Sequence, residues 1–234
     1  MNISLMQPYF FPYIGYFSLI KHSDLFIAFD LAQYKRRGWI HRNRILNTNG
    51  KPMYITVPTK RASLETKIKD ILVDEEGWQL KILAQLDFYK KSAPYYKEVV
   101  DFLTDCFSYK TKSISDLNVY LLKRVCDYLK INHNIKILSE LPVTLEEIKA
   151  SDEWGLYVTK QLGGISYINL PSGKSFYNRD KYANHNIQIQ FIENNIRKYN
   201  QMKEEFAPSL SIIDVMMFNH TEEIQEMLDD YQLS

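Results

Sequence analysis

An α/β fold built on a mainly parallel sheet is predicted by three features of this sequence. Strand-length apolar runs alternate with helical patterns near both ends of the chain, and a stretch at about residues 75–130 has helical spacing without a strong strand signal. Third, the 234 residues include 45% hydrophobic and 24% charged side chains with only 8 Gly and 8 Pro. That composition excludes intrinsic disorder and collagen-like repeats, and it supplies enough apolar surface for one domain spanning 1–234.

The first strand is expected at Asn2 to Met6 and breaks at Pro8. Pro12 can then open an apolar helix, Tyr13 to Ile20, because a first helical turn tolerates proline. Leu25 to Phe29 is a continuous apolar run of strand length ending at Asp30. This order of strand, loop, helix and strand is the signature of a βαβ unit and hence of parallel pairing. A further strand is expected at Met53 to Val57, stopped by Pro58. Trp78, Ile82, Leu86 and Tyr89 recur at helical spacing, with more helices near Tyr95 to Phe107 and Ser115 to Leu129. Alternation resumes with a strand at Ile135 to Leu138, and Thr144 with Glu147 matches a capping box. Ser151 is expected to cap a helix running to about Leu162, stopped by Gly163-Gly164. Strands at Ile165 to Ile168 and Ile187 to Ile192 flank a helical turn at Asn178 to Tyr182. Two more helices follow, one after Ser209 and one opened by Thr221. A Rossmann-like sheet with a helical insertion accommodates this order.

The 29 basic and 28 acidic residues leave a formal charge of +1. Chains that coat nucleic acid or an anionic membrane usually carry a large basic excess, so no nucleic-acid partner is expected. No apolar run approaches the ~20 residues of a membrane span, and the N-terminus lacks a signal-peptide pattern, which reads as a cytoplasmic protein. Cys106 and Cys126 have no Cys-x-x-Cys spacing and read as buried thiols in a reducing compartment.

In an open parallel sheet, ligands bind beyond the carboxyl ends of the strands. Gln7, Tyr9 and Tyr13 follow the first strand, and Asp30, Gln33 and Tyr34 the second. Thr59 and Lys60 follow the Met53 run, and Pro171, Ser172, Gly173, Lys174 and Tyr177 a later one. Between Leu31 and Leu64 lie Lys35, Arg36, Arg37, Arg42, Arg44, Lys51, Lys60 and Arg61, and no acidic residue. Guanidinium groups pair bidentately with phosphate, so this cluster suits a pyrophosphate; a solvated basic face explains it nearly as well. Tyr34, Trp39 and Tyr54 interleave aromatic faces with these charges. The five histidines have no helical i, i+4 zinc spacing, and neither Gly163-Gly164 nor PSGK is a phosphate loop, so no metal is expected. His41, inside the basic cluster, and His220 are the candidate bases.

The segments MQPYFFPYIGYFSLI, DLFIAFDLAQYKRRGWIHRNRIL, YITVP, YINLPSGKSFYN, NIQIQF, YNQ and SLSIIDVMMFN resemble the WbqC-like family of bacterial surface-polysaccharide gene clusters, over nearly the whole chain. The resemblance implies a role in O-antigen or related lipopolysaccharide biosynthesis, and members are often described as glycine transferases. It carries over Gln7, Pro8, Tyr9, Pro12, Gly15 and Tyr16 from the first block. From the second come Asp30, Gln33, Tyr34, Trp39, Arg42, Asn43 and Arg44, and from the last Pro171, Gly173, Tyr199, Gln201, Asp214 and Asn219. The chain departs from the family pattern twice, with Leu31 where a second acid often follows Asp30, and with His41 where the pattern often has asparagine.

Three functions compete on this reading. The leading one is transfer of an aminoacyl group, glycyl by the resemblance, to a nucleotide-linked amino sugar. Arg42, Arg44 and Lys60 would bind the diphosphate, Asp30 would position or deprotonate the amine, and Gln7 or Asn43 would donate to the oxyanion. Its donor would be a thioester on an acyl carrier protein or an ATP-activated amino acid, because free glycine does not acylate an amine. An ATP-dependent nucleotidyltransferase or ligase is the alternative, with Lys174 as a second phosphate contact. The third is a non-catalytic protein of the glycan assembly machinery, whose acidic tail helix mediates docking or formation of a homo-oligomer.

Overall fold

A computed structural model describes residues 1–74, 77–144, 148–201 and 205–234. Strand β1 (Asn2–Met6), helix α1 (Ile14–Lys21) and strand β2 (Leu25–Ala28) form the opening βαβ unit, with Ile3 opposite Leu25 and Met6 opposite Ala28 in parallel register. Further along come β5 (Ile135–Ile137), α5 (Glu153–Gln161), β6 (Ser166–Asn169), α6 (Arg179–Ala183) and β7 (Gln188–Asn194). Five parallel strands and the antiparallel C-terminal strand β8 (Tyr231–Leu233) make one sheet, in the order β5-β2-β1-β6-β7-β8. The fold is thus α/β and Rossmann-like.

Alternation along the strands sorts their side chains into two layers. Ile3, Leu5, Leu25 and Ile27 pack with Leu156, Val158, Tyr167 and Tyr182 under α5 and α6. Phe26 and Ala28 face the larger core, shared with α1 and with the helices α7 (Ile212–Phe218) and α8 (Thr221–Asp229). Gly155 lets α5 sit on the ring of Tyr167, since an added Cβ would lie 2.4 Å from that ring.

The expected helical stretch holds α2 (Trp78–Leu86), α3 (Tyr96–Cys106) and α4 (Ile114–Tyr128), all contributing to the larger core. The Met53 run is a strand as expected. It forms β4 (Pro52–Thr56) of an antiparallel hairpin with β3 (Arg42–Leu46), outside the main sheet. Its turn closes through Gly50 N donating to Asn47 O at 2.8 Å, with Gly50 at φ 69°. Asn-Gly at such a turn is a strong hairpin signal, masked here because basic residues alternate through β3. Ser151 does not cap α5. The N-cap is Asp152, which makes no side-chain cap bond, and the Glu153 carboxylate instead ties down the turn before the helix, accepting from Lys149 N at 2.9 Å and Ala150 N at 3.1 Å. The Thr144–Glu147 capping box ends outside the described residues. At α8 the cap is His220, whose N–H donates to Glu223.

Candidate functional site

Chain order runs outward from β1 in both directions, so the point where it reverses lies between β1 and β6. Such a reversal opens a crevice at the carboxyl ends of the strands. The loop that fills it, residues 7–13, is fastened along its backbone. Gln7 O accepts from Tyr16 Oη at 2.7 Å, and Asn118 Nδ2 donates to Pro8 O at 2.8 Å and to Ile40 O at 2.6 Å. Asn43 Nδ2 donates to Phe10 O and Phe11 O at 3.0 and 2.8 Å, while Ser211 Oγ reaches Phe11 O at 2.8 Å. Phe11 takes φ 40°, uncommon for a bulky residue, and two donors on its carbonyl hold it there. A loop over-determined in this way presents its remaining groups rigidly. The Gln7 amide and the Tyr9 hydroxyl have no hydrogen-bond partner among the described residues, and burial raises the Tyr9 phenol pKa.

These bonds also decide the roles open to Asn43. Both of its amide protons are committed and its Oδ1 accepts from Arg44 N at 2.8 Å, so it fastens the loop and has no donor left for an oxyanion. Asp30 sits at the end of β2 as expected but is only 1% exposed. Its carboxylate accepts from Ser139 N at 3.1 Å and Ser139 Oγ at 2.5 Å, tying the end of β2 to the segment after β5.

The hairpin carries the second half of the site. Tyr34 Oη lies 2.9 Å from His41 Nδ1 and 3.1 Å from Thr59 Oγ1, an aligned relay of three polar groups. Burial first, then the guanidinium groups of Arg42 and Arg36, hold the His41 imidazole down at a pKa of about 4, so the ring is neutral at physiological pH. Burial raises the Tyr34 phenol. With the proton on Nδ1, the ring donates to Tyr34, Tyr34 donates to Thr59, and Nε2 is left as a bare lone pair.

Pleating places Arg42 and Arg44 on the face of β3 opposite Asn43 and Ile45, in register with Thr56 and Tyr54. The Arg42 guanidinium lies 4.3 Å from the Tyr54 ring centre and that of Arg44 5.4 Å from Trp39, whose ring is 6.3 Å from that of Tyr54. Arg42 also donates to Arg37 O and Gly38 O at 2.7 and 3.3 Å, which leaves three of its five N–H donors unused. Among the described residues, no carboxylate forms an ion pair with Arg36, Arg37, Arg42 or Arg44. Cations laid over aromatic rings and left unneutralised form a surface suited to an anion.

Other expected site residues lie elsewhere. Gln33 donates to Leu64 O on the loop beyond Tyr34. Lys60 lines a groove beside α2, apart from the two hairpin arginines. Lys174 donates to Ser234 Oγ at 3.0 Å, and Tyr177 accepts from Asn169 at 2.6 Å beside Tyr167 at the end of β6. Asn219 is buried and donates to Val215 O at 2.8 Å. Tyr199 and Gln201 converge with Tyr89 on the fully buried Asp214, at 2.6, 2.8 and 2.6 Å. Tyr89 in turn accepts from Leu46 N at 2.8 Å, so this cluster pins α7 to the hairpin rather than facing the crevice. Asn118, Ser139 and Tyr89 escape sequence reasoning because each acts through partners distant in the chain, whereas Asn169 bonds the nearby Tyr167 and Tyr177 and is hidden by its place at the end of a buried strand.

The sequence pattern of the WbqC-like protein family matches residues 7–226. An uncharacterized protein of Mycobacterium tuberculosis (strain ATCC 25618 / H37Rv), Rv1507c, is 28% identical over 221 residues, covering 93% of this chain and 93% of that protein. No solved structure matches the chain. Among the described residues, no helix is long and apolar enough to cross a membrane and no cluster of side chains is arranged to hold a metal ion.

Proposed function

The chain belongs to the WbqC-like protein family, and from that premise we propose that it is an aminoacyl transferase, glycyl by family resemblance, acting on a nucleotide-linked amino sugar in O-antigen or related surface-polysaccharide synthesis. The observation that carries this reading is the unneutralised face of Arg42 and Arg44 laid over Tyr54 and Trp39, beside a neutral imidazole. A nucleoside diphosphate offers this surface both partners it needs, oxygens for the guanidiniums and a base for the rings. The reading needs the cytoplasm, where nucleotide sugars occur.

The base falls to His41 rather than Asp30, whose carboxylate is covered and held by Ser139. A conjugate acid near pH 4 makes a weak base, but part of that depression comes from Arg42 and Arg36. A diphosphate bound to them offsets their field and so raises the basicity of the imidazole when substrate is present, while the depression due to burial remains. The Gln7 amide, on its rigid loop, is the donor for the developing oxyanion.

Calorimetric titration with UDP- and dTDP-linked amino sugars tests the reading. Binding is expected, and Arg42→Ala should weaken it by about 1.5–3 kcal/mol, the worth of a charge-assisted hydrogen bond. Equal affinity in wild type and variant removes the face from the site. Independently, His41 followed by NMR should titrate near pH 4 in the free protein and at higher pH with UDP bound. An unmoved midpoint would show that no anion settles beside Arg42 and Arg36.

A further inference from the structure

A second feature lies about two strand spacings from the relay. Between α2, the end of α3 and the segment leading into α4 runs a groove of about 920 Å³, at the upper end of the ~300–1,000 Å³ typical of small-molecule sites. Val73, Trp78, Leu83 and Phe107 supply apolar wall, and Trp78 and Phe107 are nearly covered at 7% and 5% exposure. Lys60, Lys110 and Lys112 stand along its rim with Asp74. None of the three ammonium groups has an ion-pair or hydrogen-bond partner among the described residues. Among the described residues, the groove therefore combines an apolar trough with three unpaired ammonium groups along its rim, which suits a ligand with an extended arm and a phosphate.

Backbone pairing connects this trough to the relay. Thr59, which touches Tyr34, is bridged to Val73, and Val73 N donates to Lys112 O at 2.8 Å. Each such step spans about 4.8 Å, so Lys112 lies roughly 10 Å from Thr59 across this ladder. A ligand whose phosphate rests on Lys110 and Lys112 can extend its arm along Trp78 and Val73 toward Thr59 and His41.

We propose that this groove binds the acyl donor as a phosphopantetheine thioester, phosphate at Lys110 and Lys112 and thioester toward the Tyr34–His41–Thr59 relay. The inference rests on the transferase reading, which requires an activated acyl group, and it selects the thioester over the adenylate. In the transfer, the amine nitrogen of the sugar attacks the thioester carbonyl carbon, the C–N bond forms and the C–S bond breaks. The electron pair leaves with sulfur, and the proton from nitrogen passes through His41 to the departing thiolate. Phosphopantetheine occurs both on carrier proteins and in coenzyme A, and the groove reads the part they share.

Calorimetric titration of the full chain with phosphopantetheine, coenzyme A, ADP and UDP tests the assignment. Phosphopantetheine and coenzyme A are expected to bind, and the Lys110→Glu/Lys112→Glu double variant to weaken both by about tenfold or more while leaving UDP affinity unchanged. These lysines are exposed, so the variant should keep the wild-type circular dichroism. Arg42→Ala is expected to show the converse, losing UDP and keeping phosphopantetheine. Absence of phosphopantetheine binding, or equal binding to the double variant, overturns the proposal. ADP binding as tightly as coenzyme A also overturns it, because the groove would then read a nucleotide. Loss of the nucleotide-sugar reading alone shows up differently, as missing UDP affinity with phosphopantetheine binding intact.

Discussion

Asp214→Ala is expected to destabilise the fold by about 3–5 kcal/mol, a large share of the ~5–15 kcal/mol that holds a typical protein together. The carboxylate is fully buried and accepts from Tyr89 Oη, Tyr199 Oη and Gln201 Nε2 at once. Removing it leaves the hydroxyls of Tyr89 and Tyr199 without an acceptor, each costing about 1–3 kcal/mol, and takes one bond from Gln201 Nε2, which keeps Ala207 O and Tyr199 Oη. The estimate stays below the upper end of their sum because the carboxylate itself is poorly solvated, as its raised pKa records, and its removal relieves that burial. Tyr89 also accepts from Leu46 N, so the damage spreads from α7 into the hairpin that carries the site. Chemical denaturation reads the effect, and a loss below 1 kcal/mol would mean that water replaces the carboxylate without cost. Burial raises the Asp214 pKa above its unfolded value. Its contribution to stability is therefore full below pH ~4 and falls as pH rises through the folded-state value. Asp214→Asn removes this titration, and its stability should decline less than wild type over that pH interval.

His41→Ala is expected to lower kcat about 10²–10⁴-fold, the usual worth of a general base, while leaving the melting temperature near that of wild type. The imidazole is half-buried and bonded only through Nδ1 to Tyr34, so its loss removes the proton acceptor without opening the core. The pH profile supplies a signature that a structural role lacks. With the free imidazole near pH 4, the acid limb of kcat/KM should fall near pH 4, well below an ordinary histidine, and the limb of kcat should lie higher once a diphosphate screens Arg42 and Arg36. His41→Asn is the sharper variant, because an asparagine amide can hydrogen-bond to Tyr34 but cannot take a proton. Full activity in His41→Asn would assign the position to orienting Tyr34; loss matching that of alanine would assign it to proton transfer.

Local pattern made some elements plain and left others hidden. β1, α1 and β2 were legible because their apolar runs have strand or helix length and end at prolines or polar residues, so burial and propensity agree. The hairpin was not, because Arg42, Asn43 and Arg44 look like a solvated basic run until Asn43 is seen turned inward to Phe10 and Phe11. The site divides the same way. The uncompensated basic cluster and its interleaved aromatics are visible in the order of residues, since no acid lies within that stretch. Whether an arginine there stacks on Tyr54 or reaches solvent depends on the strand register.

By itself, then, the sequence determined the α/β class, the parallel core of the sheet and the place where positive charge concentrates, because these follow from periodicity and composition over neighbouring residues. Tertiary structure alone decided which polar groups remain available for chemistry. Asn43 and Asp30 are consumed in fastening loops, and Tyr199 and Gln201 are drawn to Asp214. His41 is made neutral by burial and by Arg42 and Arg36. Asp214 meets Tyr89 across 125 positions of chain, and hydrogen bonding and desolvation depend on proximity in space, which no pattern of adjacent residues records.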